Sequence, residues 1–145
     1  MKSKKEVLEV IELLKAVSQF IGDSRTKLCA PYGLSHIQAI IILDIYHHLN
    51  ATKITDICKR LHKSTSTISP LINRLIEKGF LEKRQNQIDN RIFEVYLTEY
   101  GQQILNKINE DVLAFAEPIF AEFTDESFQN LKESLNTMSR ICGLL

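Results

Sequence analysis

The stretch from Ser64 to Gly79 constrains this chain more than any other. Ile68, Leu71, Ile72, Leu75 and Ile76 recur at the spacing of one buried helix face. The opposite face carries Thr65, Ser66, Ser69, Asn73 and Arg74, and no carboxylate precedes Glu77. Hydroxyls, an amide and one guanidinium suit phosphates and base edges. An ordinary amphipathic surface helix has the same spacing, so the neighbours on either side must decide.

Upstream, Thr55 is positioned to cap a short helix over about 55–62, with Ile57, Cys58 and Leu61 inward and Asp56, Lys59 and Arg60 outward. His62-Lys63-Ser64 then forms a turn, with Ser64 the expected N-cap of the next helix. Two short helices joined by about three residues make a helix-turn-helix pattern. Downstream, Gly79 suits the residue just past a helix end. Phe80–Arg84 and Ile92–Leu97 are strand-like, separated by the polar turn material Gln85–Arg91. A hairpin attached directly to a helix-turn-helix is a winged helix. Ala51-Thr52-Lys53 has room for one small strand at most.

The flanks are helical. Residues 4–28 carry a stripe of Val7, Val10, Ile11, Leu14, Val17, Ser18 and Ile21, widened by Leu8, Leu13 and Phe20. Ala30-Pro31-Tyr32-Gly33 breaks that helix. Ser35 and Gln38 fit a capping box opening a helix over about 36–49, with Ile37, Ile40, Ile41, Ile45 and Leu49 inward and Asn50 as C-cap. Thr98 caps a long helix over about 99–121 with Ile104, Leu105, Ile108, Val112, Phe115, Ala116 and Ile119 along one face and a kink at Pro118. Thr124 caps a last helix over about 125–142, with Phe128, Leu131, Leu135, Met138 and Cys142 inward. The terminal stripes are wider than one winged helix can cover. Their pairing within and between chains, as a two-fold homodimer, is the economical solution, with a monomeric bundle the alternative. The expected fold is therefore mainly α with a small β-hairpin: a winged helix-turn-helix lobe at about 51–98, flanked by N- and C-terminal dimerisation helices at about 4–30 and 99–143, all in one domain 1–145.

The formal net charge is zero, which by itself argues against nucleic acid. Its distribution does not. Residues 53–91 hold nine basic side chains against four acidic, while the rest of the chain holds nine against fourteen. A local basic field on a neutral body is the footprint of an anion-binding module. Cys29, Cys58 and Cys142 are odd in number, far apart and lack CxxC spacing, which argues against a disulfide scaffold or zinc finger. No two of His36, His47, His48 and His62 have the spacing of a helical metal pair. Cys58 and His62 do, but there a packed cysteine beside a surface histidine is the simpler reading. Neither a metal nor a cofactor is expected. Paired carboxylates, nucleophile–base spacing and a glycine-rich phosphate loop are missing, so the chain does not read as an enzyme. No apolar run approaches a membrane span and the N-terminus lacks a signal core, which points to the cytoplasm.

The order of elements resembles the multiple-antibiotic-resistance regulator (MarR) family. Three motifs carry the resemblance: Ile54-Thr55-Asp56-Ile57-Cys58-Lys59-Arg60-Leu61; Ser66 to Leu81, resembling the recognition helix and following strand; and Asp89-Asn90-Arg91 with Leu97-Thr98-Glu99-Tyr100-Gly101. The resemblance implies a dimeric, cytoplasmic transcription regulator, in most cases a repressor that a small-molecule effector or oxidation releases from double-stranded DNA. It implies that Arg91 enters the minor groove from the wing and that Asp89 orients it. Ile92 stands where the family often has a second arginine. Ser69-Pro70-Leu71 resembles the threonine-proline-leucine of a peroxide-sensing branch, although residues 1–28 lack that branch's cysteine.

The candidate DNA contacts are Thr65, Ser66, Thr67, Ser69, Asn73, Arg74, Lys83, Arg84, Asp89 and Arg91. By the family's frame, Phe20, Tyr32, His36 and Ile40 line an effector pocket. Cys29, near Arg25 and Lys27, is the candidate redox thiol. Two alternatives remain at this point: a winged helix used for protein–protein contact without specific DNA binding, and a thiol-based regulator acting through Cys29.

Overall fold

Residues 1–48 and 52–144 are described by the computed structural model of this protein. Local capping chemistry sets most helix starts. Helix α1 (Lys4–Cys29) opens on a reciprocal capping box: the Glu6 N–H donates to Ser3 Oγ at 3.2 Å and the Ser3 N–H to Glu6 Oε2 at 2.7 Å. A short 3-10 turn at Ala30–Tyr32 and left-handed Gly33 (φ 70°) close it. Helix α2 (His36–His47) opens on the expected box of Ser35 and Gln38. The expected end of that helix, Leu49 with Asn50 as its C-cap, and also Ala51, lie outside the described residues.

The inward face of α2 differs from the expected one. Gln38, Ala39, Ile41, Ile42 and Ile45 are buried, whereas Ile37 and Ile40 are half-buried. In a run this apolar, spacing alone cannot choose a face. Gln38 can turn inward because its Oε1 accepts the Ser35 N–H, which satisfies a polar atom that burial would otherwise penalise.

Strand β1 (Thr52–Lys53) leads straight into α3 (Ile54–Leu61), and α4 (Thr65–Glu77) follows. Lys53, not Thr55, stands at the start of α3, without a side-chain cap. Pairing of β1 delivers the chain directly into the helix, so Thr55 falls inside it. Strands β2 (Leu81–Gln85) and β3 (Phe93–Leu97) form the expected hairpin. Antiparallel pairing of Thr52 with Val95 and Lys53 with Glu94 adds β1 to it, giving a three-stranded sheet in the order β1-β3-β2.

Helix α5 (Glu99–Phe120) begins at a crowded junction. Thr98 Oγ1 accepts the Gly101 N–H at 3.0 Å and donates to the Gly79 carbonyl at 2.6 Å, so one hydroxyl joins the ends of two helices. A Cβ on Gly101 would overlap the Phe80 carbonyl oxygen and lie 2.8 Å from Leu97 Cδ1. Helix α6 (Asp125–Ile141) is capped by Thr124, whose Oγ1 accepts the Ser127 N–H at 3.1 Å.

The chain divides into two compact units, Met1–Asn109 and Glu110–Leu145. In the first, Ile41, Ile42, Ile57, Ile68, Ile72, Leu75, Phe80, Leu81, Val95 and Leu105 are essentially inaccessible to water. They come from α2, α3, α4, the turn at Phe80, the sheet and the start of α5, so the helix-turn-helix and the wing share one core. Burial of each such side chain contributes about 1.5–3 kcal/mol. In the second, the Phe120 ring lies 5.9 Å from that of Phe123 and 5.3 Å from that of Phe128, yet none of the described residues from Glu110 onward is buried. Along α1 only Cys29 is buried, and the whole stripe from Val7 to Ile21 faces water in the single chain. No single helix among the described residues is long and apolar enough to cross a membrane.

Candidate nucleic-acid interface

Helices α3 and α4 are joined by a turn whose backbone is settled at His62. This residue is left-handed (φ 51°), and its N–H donates to Lys59 O at 3.3 Å while that of Lys63 donates to Cys58 O at 3.0 Å. Arg60 holds α3 against α2 through a two-pronged pair with Asp44, Nε to Oδ1 at 2.9 Å and Nη2 to Oδ2 at 2.7 Å. At the far end of α4, Lys78 Nζ donates to the Gly33 carbonyl at 2.6 Å. The helix-turn-helix is thus tied at both ends, and Ile68, Ile72 and Leu75 seat α4 in the core.

That seating turns the polar face of α4 outward. Thr65, Ser66, Thr67, Asn73 and Arg74 are exposed, and Ser69 is half-buried at the edge. Ser64 occupies the N-cap position with an extended backbone (ψ 156°), but its hydroxyl makes no capping bond to the helix backbone. It instead meets Ser66 Oγ at 2.9 Å and Thr67 Oγ1 at 3.0 Å. The expected side-chain cap is therefore replaced by a cluster of three hydroxyls at the positive end of the helix. Rotation of those hydroxyls can present donors to an anion. Pro70 stands inside α4 on its exposed side, so the break in hydrogen bonding that it imposes faces water and spares the core.

The wing is a shaped loop. Asn86 Oδ1 accepts the N–H groups of Ile88 at 2.8 Å and Asp89 at 2.9 Å, and the Asn86 N–H donates to the Ile92 carbonyl at 2.8 Å. Asp89 Oδ1 accepts both the N–H and Nε of Arg91, at 3.0 and 3.1 Å, while Oδ2 accepts Nη2 at 3.1 Å. These bonds, the guanidinium first and the backbone N–H second, hold the Asp89 carboxyl below its usual range. The Arg91 side chain remains 90% exposed. Asp89 and Arg91 are thus brought together as one unit. Lys83 and Arg84 are not: as strand neighbours they face opposite sides of the sheet. Lys83 Nζ lies 4.4 Å from the centre of the Phe93 ring, while Arg84 lies over Tyr96, 4.3 Å away, and pairs with Glu82. Arg84 is consequently less available to a phosphate than Lys83. Sequence reasoning missed Asn86 as organiser of the loop, although an asparagine opening a polar turn is itself a turn signal.

The other candidates lie elsewhere in the first unit. Phe20 is exposed, while Tyr32, His36 and Ile40 are half-buried. His36 Nδ1 is buried without a hydrogen-bond partner among the described residues, and burial first, then Arg25, pushes its pKa down. Cys29 is fully buried, and burial pushes its thiol up more than Arg25 pulls it down. The expected thiolate is disfavoured, because removal from water penalises the anion.

An exposed polar recognition helix beside a three-stranded wing defines the winged helix-turn-helix class. A MarR family protein from Bacillus stearothermophilus superimposes with a TM-score of 0.89 over 99% of both chains at 14% identity. S. aureus MepR, in a structure of its complex with DNA, superimposes with a TM-score of 0.74 over 90% of this chain and 94% of that one at 17% identity. In sequence, the regulator SarZ of Staphylococcus epidermidis is 30% identical over 108 residues, 72% of this chain and 68% of SarZ. The family model of the transcriptional regulators SarA and Rot matches residues 25–108. The chain belongs to this SarA/Rot family of transcriptional regulators, with the MarR-type winged helix, and is not an enzyme.

Proposed function

We propose that the protein is a cytoplasmic, sequence-specific DNA-binding regulator that acts as a homodimer on a pseudo-palindromic operator, most simply as a repressor relieved by a small-molecule effector. One observation carries the DNA-binding reading: the outward polar face of α4 and the Asp89–Arg91 unit of the wing both belong to the compact first unit. In this reading Thr65, Ser66, Thr67, Ser69, Asn73 and Arg74 face the major groove. Lys83 meets phosphate, Arg84 contributes charge from the other side of the sheet, and Arg91 enters the minor groove, held by Asp89. A narrow minor groove concentrates negative potential and favours an arginine there. The structurally similar MepR forms a complex with DNA, which supports the DNA-binding reading.

The homodimer is supported by the exposed apolar stripe of α1 and by the second unit, where Phe115, Ile119, Phe128, Leu135 and Met138 remain exposed in the single chain. Two-fold pairing would set two recognition helices roughly 34–36 Å apart, one turn of the duplex. The effector site is proposed at Phe20, Tyr32, His36 and Ile40, supported by the buried His36 Nδ1, which has no hydrogen-bond partner among the described residues.

Selection of bound duplexes from a random pool, followed by fluorescence anisotropy, tests this reading. Arg91→Ala is expected to weaken binding about ten-fold at moderate salt and to lower the salt slope by about one. Binding equal to wild type would remove Arg91 from the interface.

A further inference from the structure

We propose that Ile88 is an apolar anchor of the wing, entering the minor groove beside Arg91 and packing against its deoxyribose walls. The inference rests on the DNA-binding reading above and adds a contact of a different kind to it. Ile88 stands at the apex of the loop between β2 and β3, 98% exposed. Scattered exposed apolar side chains are ordinary, but this one is set in a loop that prevents its retreat. The Asn86 side chain binds the N–H of Ile88 itself, and Ile92 N–H donates to the Asp89 carbonyl at 3.0 Å. Asn86 Nδ2 donates to Glu94 Oε1 at 2.7 Å, and Gln85 Nε2 to the Asn90 carbonyl at 2.6 Å. With the apex so fixed, the isoleucine stays in water until a partner removes it.

The surroundings select the partner. Its loop neighbours Gln87, Asp89, Asn90 and Arg91 are polar or charged, and the nearby guanidinium is 90% exposed. The loop tip therefore combines a cation with one branched aliphatic group. The minor groove is roughly 6 Å wide, with acceptors on its floor. Its negative potential draws the guanidinium, and the sugar carbons of its walls can cover the isoleucine. Apolar surface removed from water there favours the complex without displacing a counterion.

This difference in salt dependence separates Ile88 from Arg91. Using a duplex selected by the full-length protein, anisotropy is measured across a salt series for wild type, Ile88→Ser and Ile88→Leu. Ile88→Ser is expected to weaken binding about ten-fold with the salt slope unchanged, and Ile88→Leu to stay within about two-fold of wild type. Wild-type affinity in Ile88→Ser, or a loss accompanied by a lower slope, overturns the anchor while leaving the DNA-binding reading intact. If the wild type selects no duplex, both readings fall together.

Discussion

His36 combines two features that make its protonation costly. Its Nδ1 is buried without a partner among the described residues, and Arg25 lies close enough to oppose a second positive charge. It is also the first residue of α2, at the positive end of that helix. Burial is the larger cause of its lowered pKa. The folded chain therefore binds a proton at His36 less readily than the unfolded chain, so stability rises with pH through this window. As pH falls below about 6.5, the ordinary histidine value, this contribution is progressively lost, until the folded-state pKa is passed. His36→Gln should flatten that part of the profile. Urea midpoints at pH 5.5 and 7.5 provide the measurement, and equal slopes in the two proteins would exclude His36 as the source. The Glu6 and Asp89 carboxyls are held low instead, so their contributions are lost only in the more acidic carboxylate range.

At the scale of elements, the join between wing and α5 is closely packed at Gly101. Gly101 lets the first turn of α5 cross the Phe80 carbonyl, and Thr98 binds both Gly79 and the Gly101 N–H. The Leu97-Thr98-Glu99-Tyr100-Gly101 motif was legible in the sequence, but its reason was not: a close approach between residues far apart along the chain leaves no periodicity. Gly101→Ala places a methyl against a backbone oxygen that cannot rotate away. It is expected to destabilise the protein by about 2–4 kcal/mol, read as a lowered denaturant midpoint. A stability unchanged from wild type would show that α5 can shift without cost. Helix α4 presents the opposite case. Its face and its terminating glycine were readable from spacing, whereas the hydroxyl cluster at Ser64 was not, because several hydroxyls compete locally for the same partners.

For the whole molecule, the balance of exposed and buried apolar surface is the deciding quantity. Val17 is 55% exposed and Phe20 51% in the single chain, and nothing described from Glu110 onward is buried. Helices with so little covered surface gain from a second copy. Val17→Asp should therefore shift sedimentation from dimer to monomer at micromolar concentration and weaken operator binding at least about ten-fold, because the paired half-sites are lost. A wild-type sedimentation profile in that variant would place the dimer contact elsewhere or leave the chain monomeric.

The chain's own order of residues determined its helices, its wing, its basic segment and the outward polar face of α4, since periodicity, caps and turn residues act over a few neighbours. Tertiary structure decided what needed distant partners. It chose the inward face of α2 from a run of isoleucines, and it added β1 to the hairpin, through pairs too few to leave a strand pattern. It also buried Cys29, against the thiolate that Arg25 and Lys27 suggested, and gave Lys83 and Arg84 different aromatic partners, Phe93 and Tyr96, on the opposing strand. In each case the deciding energy is desolvation or packing against residues remote in sequence, which only the folded chain brings together.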